Sequence, residues 1–229
     1  FYNCYGIRHV VIPDSVTTIG ANAFESCSKL VSLEVGSGIT SIGKNAFSSC
    51  SMLNWVNIKS MNAWCNISFE SPSSNPAYVA NRLVLNEEEI IKLEIPEGVK
   101  TLKPYTFAGL ALVKNVVFPK SLTNIDGLAF YNCAYIESFE VNSANTVYSS
   151  ANGVLFNKDK TKLIKYPEAK TNDTYEILST VTSIDTDAFN GADFSTLVLN
   201  RNVSNIKGGI FEYLDDLTTI VIPLNVTSI

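Results

Sequence analysis

The chain has 229 residues, 46% of them hydrophobic, and its 17 basic and 22 acidic residues give a net charge of −5 at pH 7. This composition is sufficient for a substantial buried core. The mild acidity and the lack of a basic stripe with interleaved aromatic residues argue against a nucleic-acid partner. No apolar run approaches the roughly 18 residues that a membrane-spanning helix needs, so we expect no membrane insertion.

Nearly the same dozen residues occur twice in the first part of the chain. The segment IGANAFESCSKL begins at Ile19, and IGKNAFSSCSML begins at Ile42, 23 positions later. The same step separates Phe1, Phe24 and Phe47. A period of about 20 to 50 residues is typical of solenoid proteins, in which each repeat buries its apolar face against the next. The sequence therefore predicts stacked coils.

Within one repeat the predicted elements follow in a constant order. Alternation of apolar and polar residues, as in Leu33-Glu34-Val35, indicates a half-buried strand. A proline such as Pro13 follows several of these strands and ends them, because it has no N–H to donate. The Ala-Phe pair and the cysteine three residues after it have the spacing of a short helical turn. Each coil is thus predicted to consist of a strand, a turn and a helical turn.

We call the phenylalanine of each repeat its anchor; the anchors are Phe1, Phe24, Phe47, Phe107, Phe130, Phe189 and Phe211. Two steps between anchors are much longer than the others, and they contain the related segments NRLVLNEEE and NGVLFNKDK. A short apolar run, a polar turn and a second apolar run that ends in proline indicate a hairpin. We therefore predict insertions at about 59–92 and 142–176, with hairpins at 81–96 and 152–167.

Four of the five cysteines occupy one position of the repeat, three residues after an anchor: Cys4, Cys27, Cys50 and Cys133. An odd number of cysteines argues against a fully paired disulfide framework. A small apolar thiol suits a tightly packed inward position. We predict buried free thiols, with disulfides between neighbouring coils as the alternative. Because ligands in a stacked ladder do not converge on one point, we predict no metal site.

The repeat resembles the Treponema-type leucine-rich repeat of BspA-like bacterial surface proteins, whose pattern is similar to V-x-x-I-x-x-x-A-F-x-x-C-x-x-L-x-x-V-x-I-P. The matching residues of one copy are Val16, Ile19, Ala23, Phe24, Cys27, Leu30, Leu33 and Val35. The resemblance covers essentially the whole chain, residues 1–229, as a single solenoid that we expect to be cut inside a repeat at both ends. It implies an α/β fold: a right-handed leucine-rich-repeat solenoid with one parallel sheet, short helical turns on the opposite side and two hairpin-bearing long repeats.

The same resemblance implies a function class, namely secreted or surface-anchored bacterial proteins, some of which adhere to macromolecules of a host or a neighbouring cell. The residues do not indicate a catalytic site. His9 is the only histidine and has a surface-facing position on its strand, whereas an enzyme needs several convergent groups. The acidic run Glu87–Glu89 fits a solvated turn, with weak calcium binding as the alternative. We expect neither enzyme activity nor a cofactor.

Strand residues that point away from the core form the candidate binding face. Its members are Glu34, Trp55, Asn57, Lys92, Glu94, Asn115, Val117 and Glu140. Trp55 is the candidate anchor of a contact, because tryptophan is enriched at binding hot spots; packing beneath the neighbouring insertion is the alternative. We expect this face to bind a protein or another cell-surface macromolecule. A structural stalk that presents another domain, and a glycan-binding module that uses Trp55 or Trp64, remain alternatives.

Overall fold

The computed structural model describes residues 1–203, 206, 208–212 and 214–226. The predicted solenoid, residues 1–229, thus includes positions 204, 205, 207, 213 and 227–229, which lie outside the described residues. In chain order the strands are β1 (His9–Ile12), β2 (Thr18–Ile19), β3 (Ser32–Val35), β4 (Ser41–Ile42), β5 (Trp55–Ile58), β6 (Ser68–Phe69), β7 (Val84–Leu85), β8 (Glu88–Glu89), β9 (Lys92–Glu94), β10 (Thr101–Leu102), β11 (Asn115–Phe118), β12 (Asn124–Ile125), β13 (Ser138–Val141), β14 (Tyr148–Ala151), β15 (Val154–Asn157), β16 (Lys162–Lys165), β17 (Thr174–Glu176), β18 (Ser183–Ile184), β19 (Thr196–Val198) and β20 (Thr219–Val221). The helices are α1 (Met61–Asn66) and α2 (Pro76–Ala80), with a 3₁₀ turn at Pro72–Ser74 between them.

The chain forms two compact units. Unit 1 comprises Phe1–Ile91, Gly98–Val113 and Asn124–Cys133, and unit 2 comprises Lys92–Glu97, Lys114–Thr123 and Ala134–Ile229. Within the part of the chain that the structure describes, no helix is long and apolar enough to cross a membrane.

The main sheet of unit 1 stacks equivalent residues of successive repeats. Strands β1, β3, β5 and β7 pair in parallel in this order, and β8 adds to β7 in antiparallel orientation. Val10, Leu33 and Val56 are register partners, and Leu33 and Val56 have no exposed surface. Side chains alternate between the two faces of a strand, so the 23-residue step directs the same side of every coil into the core.

Each coil of unit 1 also carries a second, shorter strand. Strands β2, β4 and β6 form one narrow parallel sheet, and β10 and β12 form another. Ile19, Ile42 and Phe69 are register partners in the first of these sheets, and all three are buried. Each coil therefore contributes apolar side chains to two rows that run through the core of unit 1.

The segment around each anchor consists of consecutive turns, so the predicted helical turns are not helices. Asn22 and Ser26, two residues before and after Phe24, have φ angles of 57° and 59°. These angles lie in the left-handed region, which a right-handed helix excludes. The N–H of Phe24 donates to the Ala46 carbonyl of the next coil at 2.8 Å. Hydrogen bonds between coils thus alternate with local turn bonds, such as that from the Cys27 N–H to the Phe24 carbonyl at 3.1 Å.

The anchors form rows of stacked rings. The ring centroid of Phe24 lies 5.2 Å from that of Phe1 and 5.3 Å from that of Phe47, with planes 5° and 6° apart. Phe107 and Phe130 stack at 5.7 Å. Phe47 and Phe107 have no exposed surface, which confirms the predicted inward direction for these two anchors, whereas Phe1, in the first coil, is 72% exposed.

The cysteines are all free thiols, as predicted; Cys4 is half-buried and the other four are buried. The thiols of Cys27, Cys50 and Cys133 each donate to the carbonyl oxygen of the anchor one coil earlier, at 3.3, 3.1 and 2.9 Å. A thiol is a weak donor, but here it satisfies a carbonyl that lies inside the stack. The cysteine position therefore links coils as well as filling space.

The hairpin of the first insertion differs from the predicted one. Strand β7 pairs in parallel with β5, and its second partner is β8, with Leu85 opposite Glu88. The run Lys92–Glu94, which we expected to be the second strand of this hairpin, is β9 and pairs in parallel with β11. Helices α1 and α2 also lie in this insertion, before β7.

Unit 2 contains two three-stranded parallel sheets, one of β9, β11 and β13 and one of β17, β19 and β20. Between them in sequence, β14, β15 and β16 form an antiparallel meander that β18 extends in parallel. The β15–β16 pair lies within the hairpin predicted at 152–167. Both units are solenoids of parallel strands, which confirms the predicted fold class. The single sheet that we expected is instead divided, with one main sheet in unit 1 and separate sheets in unit 2.

One buried polar residue holds the start of the second insertion. The side chain of Asn145 is fully buried and makes four hydrogen bonds to the backbone. Its Nδ2 donates to the carbonyls of Pro119 and Leu122, each at 2.8 Å. Its Oδ1 accepts from the N–H groups of Val147 and Tyr148, at 2.9 and 2.8 Å. A buried amide that is fully satisfied in this way specifies a single backbone path.

Candidate binding surface

The eight residues of the candidate binding face divide between the two units: Glu34, Trp55 and Asn57 belong to unit 1, and Lys92, Glu94, Asn115, Val117 and Glu140 belong to unit 2. The strand pattern of the sequence also predicts that Lys92 is the residue in line with Trp55 on the next strand, and this order is wrong. Asn57 pairs with Val84, so the residue in line with Trp55 is Arg82, two positions before Val84. We call the outward residues of these coils in unit 1 the Trp55 face; its members are His9, Val11, Ser32, Glu34, Trp55 and Arg82.

Arg82 covers part of the Trp55 ring. Its guanidinium carbon lies 4.9 Å from the ring centroid, within the distance at which a cation is attracted to an aromatic face. The same guanidinium is ion-paired with Glu89 of β8. Trp55 nevertheless remains half-exposed. The ring is thus held in one orientation by the insertion without being buried under it.

Asn57 is not an exposed member of the face, contrary to the prediction. The residue is only 7% exposed, and its Oδ1 accepts a hydrogen bond of 3.0 Å from the N–H of Glu87. Glu87 and the preceding Asn86 form the two-residue turn between β7 and β8, with φ angles of 70° and 51°. Two consecutive left-handed residues are typical of the turn that joins hairpin strands. Asn57 therefore ties this turn to the strand that carries Trp55.

The remaining residues of the Trp55 face are polar, except for one valine, Val11. The Nδ1 of His9 and the Oγ of Ser32 lie 2.7 Å apart on adjacent strands. Val11 is 64% exposed and lies next to the half-exposed Glu34 in the ladder. The face thus offers an aromatic ring and a valine within a polar surround.

Unit 2 presents a more uniformly polar set of outward strand residues. Lys92, Asn115 and Ser138 are register partners. The Nδ2 of Asn115 donates to the Ser138 Oγ at 2.7 Å, and Lys92 makes a 3.1 Å ion pair with Glu94. These polar groups are therefore partly satisfied by one another, and the five predicted residues here include no aromatic side chain.

The arrangement offers little to catalysis or to metal binding. In the part of the chain that the structure describes, no group of three His, Cys, Asp or Glu residues could hold a metal ion. The pair formed by His9 and Ser32 is exposed, and a nucleophile activated in this way also needs a group that orients the base and donors that stabilise the developing charge. A cavity beside Ser60 and Trp64 holds about 10 Å³, which is about the space of one water molecule.

Trp64 lies inside unit 1 and not on its surface. It is 1% exposed, and its Nε1 donates to the carbonyl of Thr106 at 2.9 Å. Its ring packs 5.3 Å from that of Phe69. The alternative in which Trp64 is a stacking platform for a glycan is therefore wrong, whereas Trp55 is only partly buried.

Arg82 is a member of the Trp55 face that the sequence pattern did not predict. The segments Arg82-Leu83-Val84-Leu85 and Lys92-Leu93-Glu94-Ile95 both alternate in the manner of a strand, so the pattern alone did not decide which of them follows Trp55. The available signal was the length of the insertion, since a strand that begins near residue 82 leaves a step closer to the usual 23 residues.

The model of the family described as "BspA type Leucine rich repeat region (6 copies)" matches residues 1–81, 80–172 and 168–229. These matches cover the chain. No curated protein matches it.

Several solved bacterial structures are similar to this chain. A leucine-rich repeat protein from Eubacterium ventriosum is 28% identical over 97% of this chain and 55% of its own, with a TM-score of 0.62. A leucine rich cell surface protein from Faecalibacterium prausnitzii is 22% identical over 94% of this chain and 60% of its own, with a TM-score of 0.64. The pneumococcal vaccine antigen PcpA is 20% identical over 95% of this chain and 51% of its own, with a TM-score of 0.54. The last two likenesses are of fold, and the chain spans between 51% and 60% of the length of each of these three structures.

Proposed function

Since the chain belongs to the BspA-type leucine-rich repeat family, we propose that it is a non-catalytic protein-binding module of a bacterial surface or secreted protein, and that it binds through the Trp55 face. Repeat proteins of this kind offer extended surfaces made by regular stacking. Such surfaces suit a macromolecular partner better than a small molecule, which needs a pocket.

The observation that carries the proposal is that Trp55 is partly exposed and held in one orientation by Arg82. A half-exposed tryptophan on a regular strand face can bury a large apolar area at a contact. Arg82 and Glu89 already hold the ring in place, so binding would order few further side chains. Ordering side chains is one of the costs of association, and a ring that is held in advance avoids part of it.

A location outside the cell or at its surface is part of the same proposal. Family membership supports it, and one of the similar structures is that of a cell surface protein in Faecalibacterium prausnitzii. That description applies to the other protein. For this chain, adhesion to a protein of a host or a neighbouring cell is the activity that we propose.

The test is a binding assay of the protein against immobilised host matrix proteins and whole neighbouring bacterial cells. We expect the wild type to bind at least one of these surfaces and the Trp55→Ala variant to bind more weakly by more than about 1 kcal/mol. Tyr135→Ala is the matched control, because Tyr135 is an exposed aromatic residue of unit 2. It should bind as the wild type does.

Melting midpoints separate a loss of binding from a loss of fold. The contact of Arg82 with Trp55 is worth about 0.5–1 kcal/mol at an exposed site, so Trp55→Ala should remain folded. If the wild type binds nothing, the chain is better explained as a structural stalk. If the wild type binds glycans and not proteins, the module is of the glycan-binding class. Equal binding by wild type and Trp55→Ala would assign the contact to another face.

A further inference from the structure

Two asparagines of unit 2 are each followed by glycine, in the pairs Asn152-Gly153 and Asn190-Gly191. An asparagine before glycine is prone to spontaneous deamidation, because no side chain shields the glycine nitrogen that attacks the asparagine amide. The two pairs have the same local chemistry, so a difference in their reactivity in the folded protein arises from the structure around them.

The Asn152-Gly153 pair lies exposed at the tip of a hairpin. It forms the two-residue turn between β14 and β15, with φ angles of 49° and 80°, and two consecutive left-handed residues are typical of such a turn. Asn152 is exposed, and in the described part of the chain its side-chain amide has no hydrogen-bond partner. The attack needs the turn to open briefly, and exposed loop tips open at a small cost in free energy.

The Asn190-Gly191 pair is held by the side chains of Lys165 and Glu168. The Nζ of Lys165 donates to the Asn190 carbonyl oxygen at 3.0 Å, and this oxygen belongs to the peptide group that contains the glycine nitrogen. Lys165 is itself ion-paired with Glu168 at 3.2 Å. A Cβ atom on Gly191 would lie 3.1 Å from the Glu168 side chain, so that side chain covers the glycine. Opening this turn would break these contacts, which protects the pair.

We infer that Asn152 is a site of spontaneous deamidation in the folded protein, and that the reaction loosens the second insertion from β13. The Gly153 nitrogen forms a bond to the Asn152 side-chain carbonyl carbon, and its proton ends on the departing ammonia. Water then opens the resulting succinimide ring at either carbonyl, which gives isoaspartate or aspartate. The sum is one water consumed and one ammonia released. The site lies in unit 2, so the inference does not depend on the Trp55 face.

The hairpin tip that carries this pair is hydrogen-bonded to β13, the outermost strand of its sheet. The N–H of Phe139 donates to the Gly153 carbonyl at 2.8 Å, and the N–H of Val141 donates to the Ser150 Oγ at 3.1 Å. A Cβ atom on Gly153 would lie 3.0 Å from the Cβ of Ser138, so the tip fits closely against the strand. Isoaspartate lengthens the main chain of the turn and adds a negative charge. The bond from Phe139 to Gly153 should therefore break.

The first experiment follows each asparagine by peptide mapping and mass spectrometry while the intact protein is kept at mildly alkaline pH. We expect Asn152 to convert several-fold faster than Asn190 in the folded protein, and the two to convert at similar rates in denaturant. Because the attacking nitrogen must lose its proton, the rate at Asn152 should rise with pH. Equal rates at Asn152 and Asn190 in the folded protein, or no conversion of Asn152, would overturn the inference.

Asn86 is a matched control within the same molecule. It is exposed in a turn of the same kind, with φ angles of 51° and, at the following Glu87, 70°. Glutamate shields the backbone nitrogen that glycine leaves open, and the Glu87 N–H is also held by Asn57. We expect Asn86 to remain unmodified while Asn152 converts. Comparable conversion at both positions would show that the exposed turn alone is sufficient, and the role given to the glycine would be wrong.

The second experiment tests the effect on β13. Asn152→Gly removes the reacting amide and keeps the turn, because glycine adopts the left-handed conformation without strain. Wild type and variant are aged together, and hydrogen exchange of the Phe139 amide is measured by NMR. We expect the aged wild type to contain a rapidly exchanging fraction equal to its isoaspartate content, and the variant to contain none. If isoaspartate accumulates and the exchange at Phe139 does not change, the coupling to β13 is wrong and the deamidation site stands.

Discussion

The side chain of Asn57 and the backbone of Glu87 are joined by a hydrogen bond of 3.0 Å, although they lie 30 residues apart in sequence. The amide oxygen of Asn57 accepts from an N–H group at the tip of a hairpin, and the asparagine itself is buried. The order of the hairpin is therefore coupled to β5, the strand on which Trp55 stands.

Replacing Asn57 with alanine should lower the free energy of unfolding by about 1–3 kcal/mol, because the Glu87 N–H would lose its partner beneath the hairpin. Denaturant unfolding of wild type and Asn57→Ala measures the change. Asn115→Ala is the control, since Asn115 is half-exposed and donates to Ser138 on an outward face. A loss in Asn115→Ala as large as that in Asn57→Ala would contradict the role assigned to the hairpin contact.

Glycine at position 87 should stabilise the protein. Glu87 has a φ angle of +70°, a left-handed conformation that is strained for residues with a Cβ atom and relaxed for glycine. We expect Glu87→Gly to raise the free energy of unfolding by about 0.5–1 kcal/mol. Glu88→Gly, in the adjacent strand β8, should lower it by a similar amount. Thermal melts in which both variants move in the same direction would show that the turn geometry does not govern stability here.

Truncating an anchor phenylalanine should strongly lower the free energy of unfolding. Phe47 has no exposed surface and stacks on Phe24, so Phe47→Ala should cost about 3–5 kcal/mol through the cavity that it leaves. Glu34→Ala, on the outward side of β3, should change the free energy of unfolding by less than about 0.5 kcal/mol. Urea titrations compare the two, and similar losses would refute the assignment of inward and outward positions.

The buried thiols should be protected from alkylation in the folded state. Burial raises the pKa of both Cys50 and Cys65 to about 12, so the reactive thiolate is scarce near neutral pH. Cys4 is half-buried and should react first. Mass spectrometry after timed alkylation should find one rapid modification and four that require denaturant. Rapid modification of all five thiols without unfolding would be incompatible with this packing.

The stability of unit 2 should decline at alkaline pH through Tyr166. Burial, with a smaller contribution from Asp193, raises the pKa of this hydroxyl to about 12, whereas tyrosine in an unfolded chain ionises near pH 10. Below about pH 10 the Tyr166 hydroxyl is protonated in both the folded and the unfolded protein, so this group does not change the stability. Between about pH 10 and 12 the hydroxyl ionises in the unfolded protein but not in the folded one, so the unfolded state binds fewer protons and stability falls as pH rises. The full loss from this group amounts to about 2–3 kcal/mol.

Tyr166→Phe isolates that contribution. Among the described residues, the buried Tyr166 hydroxyl has no hydrogen-bond partner, so its removal should not lower stability near neutral pH. The difference between variant and wild type in denaturant unfolding should grow as the pH is raised above about 10. A difference that is independent of pH would show that the hydroxyl ionises as readily in the folded state as in the unfolded one.

The sequence was sufficient to predict the coil but not the arrangement of its insertions. The step from Phe24 to Phe47 predicts stacking, because residues in phase must pack on one another. The choice between Arg82 and Lys92 as the neighbour of Trp55 depends on which of two similar strands pairs with β5. The repeat pattern does not determine this pairing, because it depends on how the inserted chain between β5 and β7 folds. The turns at Asn22 and Ser26 had a local signal, since asparagine tolerates the left-handed conformation, but the helical spacing of the apolar residues obscured it.

The candidate binding surface was predictable only in part, because contacts between distant parts of the chain also decide which residues are exposed. The alternation of β5 correctly places Trp55 outward, and it predicts the same for Asn57. The burial of Asn57 arises from a contact with Glu87, which periodicity within one strand cannot reveal. Binding through Trp55 stays a prediction, because it depends on a partner molecule.

The hairpin has one more consequence, for the behaviour of the protein at high concentration. Strand β8 forms the last edge of the five-stranded sheet in unit 1, and it consists of two exposed glutamates, Glu88 and Glu89. An open strand edge is a template on which strands of other molecules can add, and natural proteins discourage this with very short, charged edge strands. By ending in a charged strand of only two residues, this sheet offers a second copy little to pair with at the edge where it could otherwise seed aggregation.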